Sequence, residues 1–329
     1  MGEIEATRRT AGLFDFSDAG KIALTGADRV SFLHGMVTSD IAGLAEGAAQ
    51  PSAIVDAAGK VVANLVIVRR REEILLESAP ERRGAVIATL GKFLVADDVE
   101  LSDRTSDWAI LSVQGPLAGH ILGHACAGLD PLPATPYALV EIDQPEGLVL
   151  VVRHDRFGPP GYDVWAPSGG AAALRERLVA CGAEHGLASC GAETREALRV
   201  LAGRPAWGRE IDDLSFPHEV GLASVVSSAK GCYVGQEVLA RIHFLGHVNR
   251  VLARVSLDRA PGPDEPLPIP LSLDGADAGR LTSVACDPEA ARPAGLAVLR
   301  RAVAAPGAQY EARPAMDPPF GVTVVALVS

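Results

Sequence analysis

The chain has 329 residues, is 48% apolar and 22% charged, and carries a formal charge of −11. That length calls for roughly two to three cores of about 100–200 residues each, and the composition excludes a wholly disordered or fibrous chain. The acidic balance disfavours nucleic acid as the main partner, and no apolar run approaches the roughly 18 residues of a membrane span.

Met1-Gly2-Glu3-Ile4-Glu5 lacks a basic leader, so a cytoplasmic protein is expected, and a monomer is the default expectation. In chain order, Lys21-Ile22-Ala23-Leu24 predicts a strand and Asp28–Met36 a helix that Asp28 can cap. Ala53–Val55 and Val61–Val68 predict a hairpin turning at Asp56-Ala57-Ala58-Gly59. Arg69-Arg70-Arg71 and Glu72-Glu73 read as a solvated hairpin end. A helix over 82–94 and a strand over 108–113 follow. A second unit then runs helix 117–125, strands 148–153 and 162–166, and helix 171–181.

Strands joined by hairpins and alternating with helices predict an α+β, split β-α-β layout. After Arg250 the pattern becomes short strands (251–257, 279–285, 296–303, 322–328) around a proline-rich connector, 261–270, which predicts a small β-barrel. The domain boundary is placed at 247/248, giving domains 1–247 and 248–329. No glycine-rich nucleotide cradle and no hydrolase motif is present.

Five cysteines (126, 181, 190, 232 and 286) without a C-x-x-C pair predict reduced thiols, not a disulfide framework or a resident cluster. Four lie in apolar or small-residue surroundings and read as buried hydrophobes. Cys232 differs. It lies in Lys230-Gly231-Cys232-Tyr233-Val234-Gly235-Gln236-Glu237, where two glycines permit a tight turn, Lys230 offers a cation and Gln236 opens a helical run. Each of these can favour the thiolate. His243 and His247, four apart, could share a helical face with Cys232 as a third metal ligand, but Gly246 and the lack of a second cysteine argue against it, and no bound metal is expected.

The Lys230–Glu237 motif, followed by Val238-Leu239-Ala240-Arg241 and Phe244-Leu245-Gly246, resembles the signature of the YgfZ family, folate-binding proteins of iron–sulfur cluster assembly and repair. Leu13–Ser17, Phe32–Gly35, Thr38–Asp40, Val113–Pro116, Gly161–Val164, Leu198–Pro205 and Pro217–Leu222 extend the likeness to the related glycine-cleavage T-protein. The resemblance implies two interlocked ferredoxin-like halves and a C-terminal barrel around an opening for tetrahydrofolate, with iron–sulfur client or assembly proteins as partners and Cys232 as the functional thiol beside Lys230.

Where the T-protein carries an acidic pair on its hairpin, this chain has Ala63-Asn64, and an amide can hydrogen-bond folate but cannot act as a base. Asp163 stands where a glutamate is expected and is the candidate for the pterin edge. Arg241 and Lys230 are the candidates for the anionic glutamate tail, either of them otherwise pairing with Glu237, and Trp108 and Trp207 are either ring-stacking or core residues. Two other functions fit the resemblance: a T-protein-type aminomethyltransferase, or a non-catalytic interaction module.

Overall fold

The computed structural model describes residues 2–158, 160–290 and 292–328, which form two compact units. The first comprises Met1–Ile54, Val62–Ala192 and Ala229–Val234; the second comprises Val55–Val61, Glu193–Ser228 and Gly235–Ser329.

The first unit contains two sheets. Strands β2 (Gly20–Thr25), β3 (Ala48–Val55), β4 (Val61–Arg69), β5 (Ile74–Ser78) and β6 (Glu100–Asp103) lie in the order β3-β4-β5-β2-β6. Strands β1 (Ala11–Asp15), β7 (Trp108–Gln114), β8 (Leu139–Gln144), β9 (Gly147–Arg153), β10 (Gly161–Pro167) and β11 (Leu187–Ser189) lie in the order β11-β1-β7-β10-β9-β8. The chain's first strand thus leaves its sequence neighbours to sit between β7 and β11, antiparallel to one and parallel to the other, which interlocks the halves.

Side-chain alternation explains the layering. On β2, Ile22 and Leu24 pack with Phe32 and Leu33 of α2 (Arg29–Met36) and Val86 and Leu90 of α3 (Arg83–Gly91). Ala23 points the other way, into a core shared with Val68, Leu75, Ile110, Leu150 and Trp165, so the two sheets lie face to face. The outer face of the second sheet buries Leu111, Val113 and Val164 against α4 (Ala118–Ala125) and α5 (Ala171–Gly182). Each sheet is therefore covered on both sides, which accounts for near-continuous buried runs such as Ile74–Ser78. A short helix, α1 (Glu3–Arg9), precedes β1.

The second unit holds a closed six-stranded barrel, ordered β12 (Arg250–Leu257), β15 (Ala294–Arg300), β14 (Ala276–Ala285), β13 (Ile269–Leu273), β16 (Gln309–Ala312) and β17 (Phe320–Val328). Its interior is filled by Val255, Leu271, Leu281, Leu299, Tyr310 and Val324 among others. Helix α6 (Ala192–Leu201) sets Val200 against Leu252 and Leu296. Beside it, fully buried Glu210 accepts from Arg199, Thr282, Ser283 and the Ala206 amide, which satisfies its charge. Helix α7 (Gln236–Leu245) follows the cysteine motif.

This is the α+β layout with a C-terminal barrel that the sequence predicts, with three differences. Asp28 stands at the start of α2, but its carboxylate accepts from the Asp98 amide at 2.9 Å and makes no side-chain cap. The proline-rich connector ends in a strand, β13, which tolerates Pro270 because that residue is exposed. Strand β5 has no alternating pattern to reveal it, since all five of its residues are buried.

Candidate functional site

Between the two sheets of the first unit lies a polar cluster in an otherwise apolar layer. Asp163 on β10 shares the inward face with Trp165, and Glu77 on β5 shares it with Leu75. In register, Glu77 is opposite Lys21 on one side and Val66 on the other, while Asp163 is opposite Ser112 and Val152. All four polar members of these rows are buried. Arg156, from the β9–β10 connection, joins the carboxylates. Its Nε donates to Asp163 Oδ1 at 2.9 Å, and its Nη2 donates both to Asp163 Oδ2 and to Glu77 Oε1 at 2.7 Å. His154 Nδ1 lies 2.7 Å from Asp163 Oδ2.

Burial alone would raise the Asp163 pKa, but the Arg156 guanidinium and His154 outweigh it and hold the carboxyl well below the usual carboxylate range. Asp163 is an ionised acceptor with both oxygens engaged. Glu77 Oε2 and Asn64 Oδ1, by contrast, are buried with no hydrogen-bond partner. Asn64 on β4 alternates with Val66 and Val68, so it belongs to the same inward face. Two orphan acceptors on one sheet face make a site that favours a ligand rich in N–H donors.

Among the described residues, Glu77, His154 and Asp163 form a grouping with the spacing of a metal site. Arg156 already supplies the cation between its carboxylates.

The cysteine motif is divided between the units in sequence: Lys230–Val234 belong to the first and Gly235 onward to the second. Cys232 is exposed and all five cysteines are free; of the four expected to be buried hydrophobes, only Cys126 is buried, Cys181 and Cys190 are half-buried and Cys286 is exposed. Lys230 is buried, and its ammonium donates to the carbonyls of His34, Val37 (2.6 Å) and Ser39 (2.9 Å) just past α2. Three donors meet three acceptors, so the expectation of a lysine serving the thiol gives way to a lysine that pins the motif to the end of α2. Burial pushes its pKa down to about 8.

The two glycines also separate in role. Gly235 has φ +80°, and a Cβ there would lie 2.4 Å from the Asp56 carbonyl oxygen, whereas a Cβ on Gly231 would meet only His34 Nε2, at an ordinary contact distance of 3.7 Å. Tyr233 is buried and Val234 packs against the α2/α3 core. Gln236 and Glu237 open α7.

Arg241 projects from α7 and pairs with Glu237 at 3.1 Å, both largely exposed, an i,i+4 pair worth about 0.3–0.5 kcal/mol. His243 lies 6.4 Å ring to ring from His218, and His247 lines a cavity of about 1100 Å³ in the second unit, so neither meets Cys232 in a ligand set among the described residues. Trp108 and Trp207 both pack against cores.

Asp163 and Asn64, named from the sequence, are set by the fold on facing inward sheet faces, whereas Arg156, His154 and Glu77 were not named from it. Arg153-His154-Asp155-Arg156, charged residues just ahead of the Gly161–Pro167 strand, was the available signal for the first two. Glu77, a lone charge in Ile74-Leu75-Leu76-Glu77-Ser78, was the signal for the third.

Residues 1–230 match the family model described as GCVT N-terminal domain. The aminomethyltransferase of Geobacillus kaustophilus (strain HTA426) is 32% identical over 318 residues, covering 94% of this chain and 84% of that protein. The aminomethyltransferase of Rubrobacter xylanophilus is 32% identical over 298 residues, covering 90% of this chain and 78% of that one. The crystal structure of glycine cleavage system aminomethyltransferase T from Bartonella henselae superposes with a TM-score of 0.86 at 22% identity, covering 98% of this chain and 87% of that chain. These matches bear on the T-protein side of the resemblance.

Proposed function

Because the chain belongs to the GCVT N-terminal domain family, we propose that it is a tetrahydrofolate-binding protein that supports assembly or repair of iron–sulfur enzymes, with Cys232 as its working thiol. The observation that carries this reading is Asn64. Its buried Oδ1 has no donor, and the resemblance implies a carboxylate at this position in the T-protein. A carboxamide can accept an N–H from a folate ring, but it has no proton to trade near neutral pH and no charge to stabilise an iminium-like intermediate. The exposed Cys232, on a turn held at one end by Lys230 and at the other by Gly235, supports a thiol offered to a partner. Five cysteines without a disulfide suit a reducing cytoplasm.

The second reading is aminomethyl transfer. Similarity favours it, since the relatives at 32% identity are named aminomethyltransferase. The chemistry available at Asn64 weighs against it.

Complementation of a deletion strain tests the thiol. Wild-type protein is expected to restore cluster-dependent enzyme activity and Cys232→Ala to fail; full rescue by Cys232→Ala would remove the thiol from the account. Calorimetric titration with tetrahydrofolate tests the ligand, and absence of heat would leave an interaction module on the same scaffold.

A further inference from the structure

The β9–β10 connection lays the Arg156 guanidinium on Asp163 as a flat, two-pronged donor, with parallel contacts of 2.9 and 2.7 Å to the two carboxylate oxygens. Its Cζ lies 3.9 Å from the centre of the Phe16 ring, so an aromatic face forms the floor. Next in sequence, Phe157 sets its ring edge-on to Phe14 at 5.0 Å, an apolar anchor that holds the connection down. A carboxylate fork over an aromatic face recognises any planar N–C–N edge that carries two parallel N–H donors. A guanidinium has that edge, and so does the 2-amino-4-oxopyrimidine ring of a reduced pterin. Glu77 Oε2, buried and without a partner, leaves a further acceptor beside the same fork.

We propose that Arg156 is an internal stand-in for the ligand: its side chain and the pterin edge of folate occupy the same place on Asp163, so each excludes the other. The structure thus describes the self-occupied form, and the ring enters when the β9–β10 connection releases Arg156. This deepens the folate reading and rests on it for the identity of the ring.

Calorimetric titration of tetrahydrofolate into the full chain and two variants tests the proposal. Arg156→Ala empties the fork, and Arg156→Lys keeps a cation near Glu77 and Asp163 but cannot make the two-pronged contact. If Arg156 holds Asp163 for nine-tenths of the time, removing it tightens binding by about tenfold. Both variants are therefore expected to bind tighter than wild type, and Asp163→Asn combined with Arg156→Ala is expected to erase the gain. Unchanged or weaker binding in a folded variant overturns the proposal.

Arg156→Ala leaves two buried carboxylates without their cation, so its melting temperature is read alongside, with and without methylguanidine. A rise in the variant and none in wild type supports a guanidine-shaped place on Asp163 that Arg156 fills; no rise in the variant overturns it. Methylguanidine stabilising Arg156→Ala while neither wild type nor variants bind tetrahydrofolate would sink the folate reading and keep the guanidine-shaped place.

Discussion

Lys230 and Asp163 show how a charge can be taken out of water at single residues, by two different means. Lys230 donates to main-chain carbonyls, at 2.6 and 2.9 Å from Val37 and Ser39 and with His34 as the third, and its ammonium lies 4.8 Å from the centre of the Tyr233 ring. Replacing it leaves those carbonyls without donors, so Lys230→Met is expected to destabilise the protein by about 2–4 kcal/mol, read as a lower urea midpoint at unchanged slope. A loss under about 0.5 kcal/mol would mean the ammonium is not an anchor.

Asp163 is instead held ionised by neighbouring charge, mainly Arg156, against the opposing effect of burial. Its folded-state pKa is depressed below the ordinary 3.8, so its contribution to stability is complete above that value and is lost as pH falls below it. Unfolding measured between about pH 5 and 2 is expected to show stability falling with acid in wild type, and a shallower fall in Asp163→Asn. Equal slopes would contradict the pairing.

At the scale of elements, the turn before α7 depends on one of its two glycines. Gly235 needs its positive φ and the space beside Asp56, whereas Gly231 has neither requirement. Gly235→Ala is expected to cost about 2–4 kcal/mol and Gly231→Ala less than about 0.5 kcal/mol, by denaturant titration of both variants. Equal costs would mean that the turn does not need the left-handed residue.

Elements with a clear period or a strong turn signal were legible in the sequence. The strand at Lys21–Leu24, the Asp56–Gly59 turn, the helices at 82–94 and 171–181 and the strands after Arg250 all stand close to where residue spacing put them. The Asp56–Gly59 turn carries its reason in sight, with Asp56 Oδ1 accepting from the Ala58 and Lys60 amides. Strands buried on both faces, such as β5, and short edge strands, such as β11, lack that alternation. Of the polar cluster between the sheets, Asp163 and Asn64 were named from the sequence, but neither their partners nor the constellation was. Asp163 gave no sign that a partner seven positions earlier would close over it, because that pairing arises from the fold of a connection and not from a sequence period.

At the scale of the whole molecule, a T-protein-like scaffold with a closed barrel is combined with an inward sheet face on which position 64 is an amide and Glu77 is the carboxylate beside it. The scaffold is what the match over residues 1–230 and the TM-score of 0.86 describe. Chemistry on such a scaffold is set by the side chains placed on it, and position 64 here is an amide where the resemblance implies a carboxylate in the T-protein. On the proposed reading, folate would be held by acceptors such as Asn64 Oδ1, with no carboxylate at position 64 to assist transfer.

The most direct measurement is methylenetetrahydrofolate formation by the purified protein given tetrahydrofolate and an aminomethylated donor, with calorimetric binding of tetrahydrofolate recorded on the same preparation. The account predicts binding without product above the uncatalysed background. Sustained product formation by the wild-type chain would contradict it and establish aminomethyl transfer in its place.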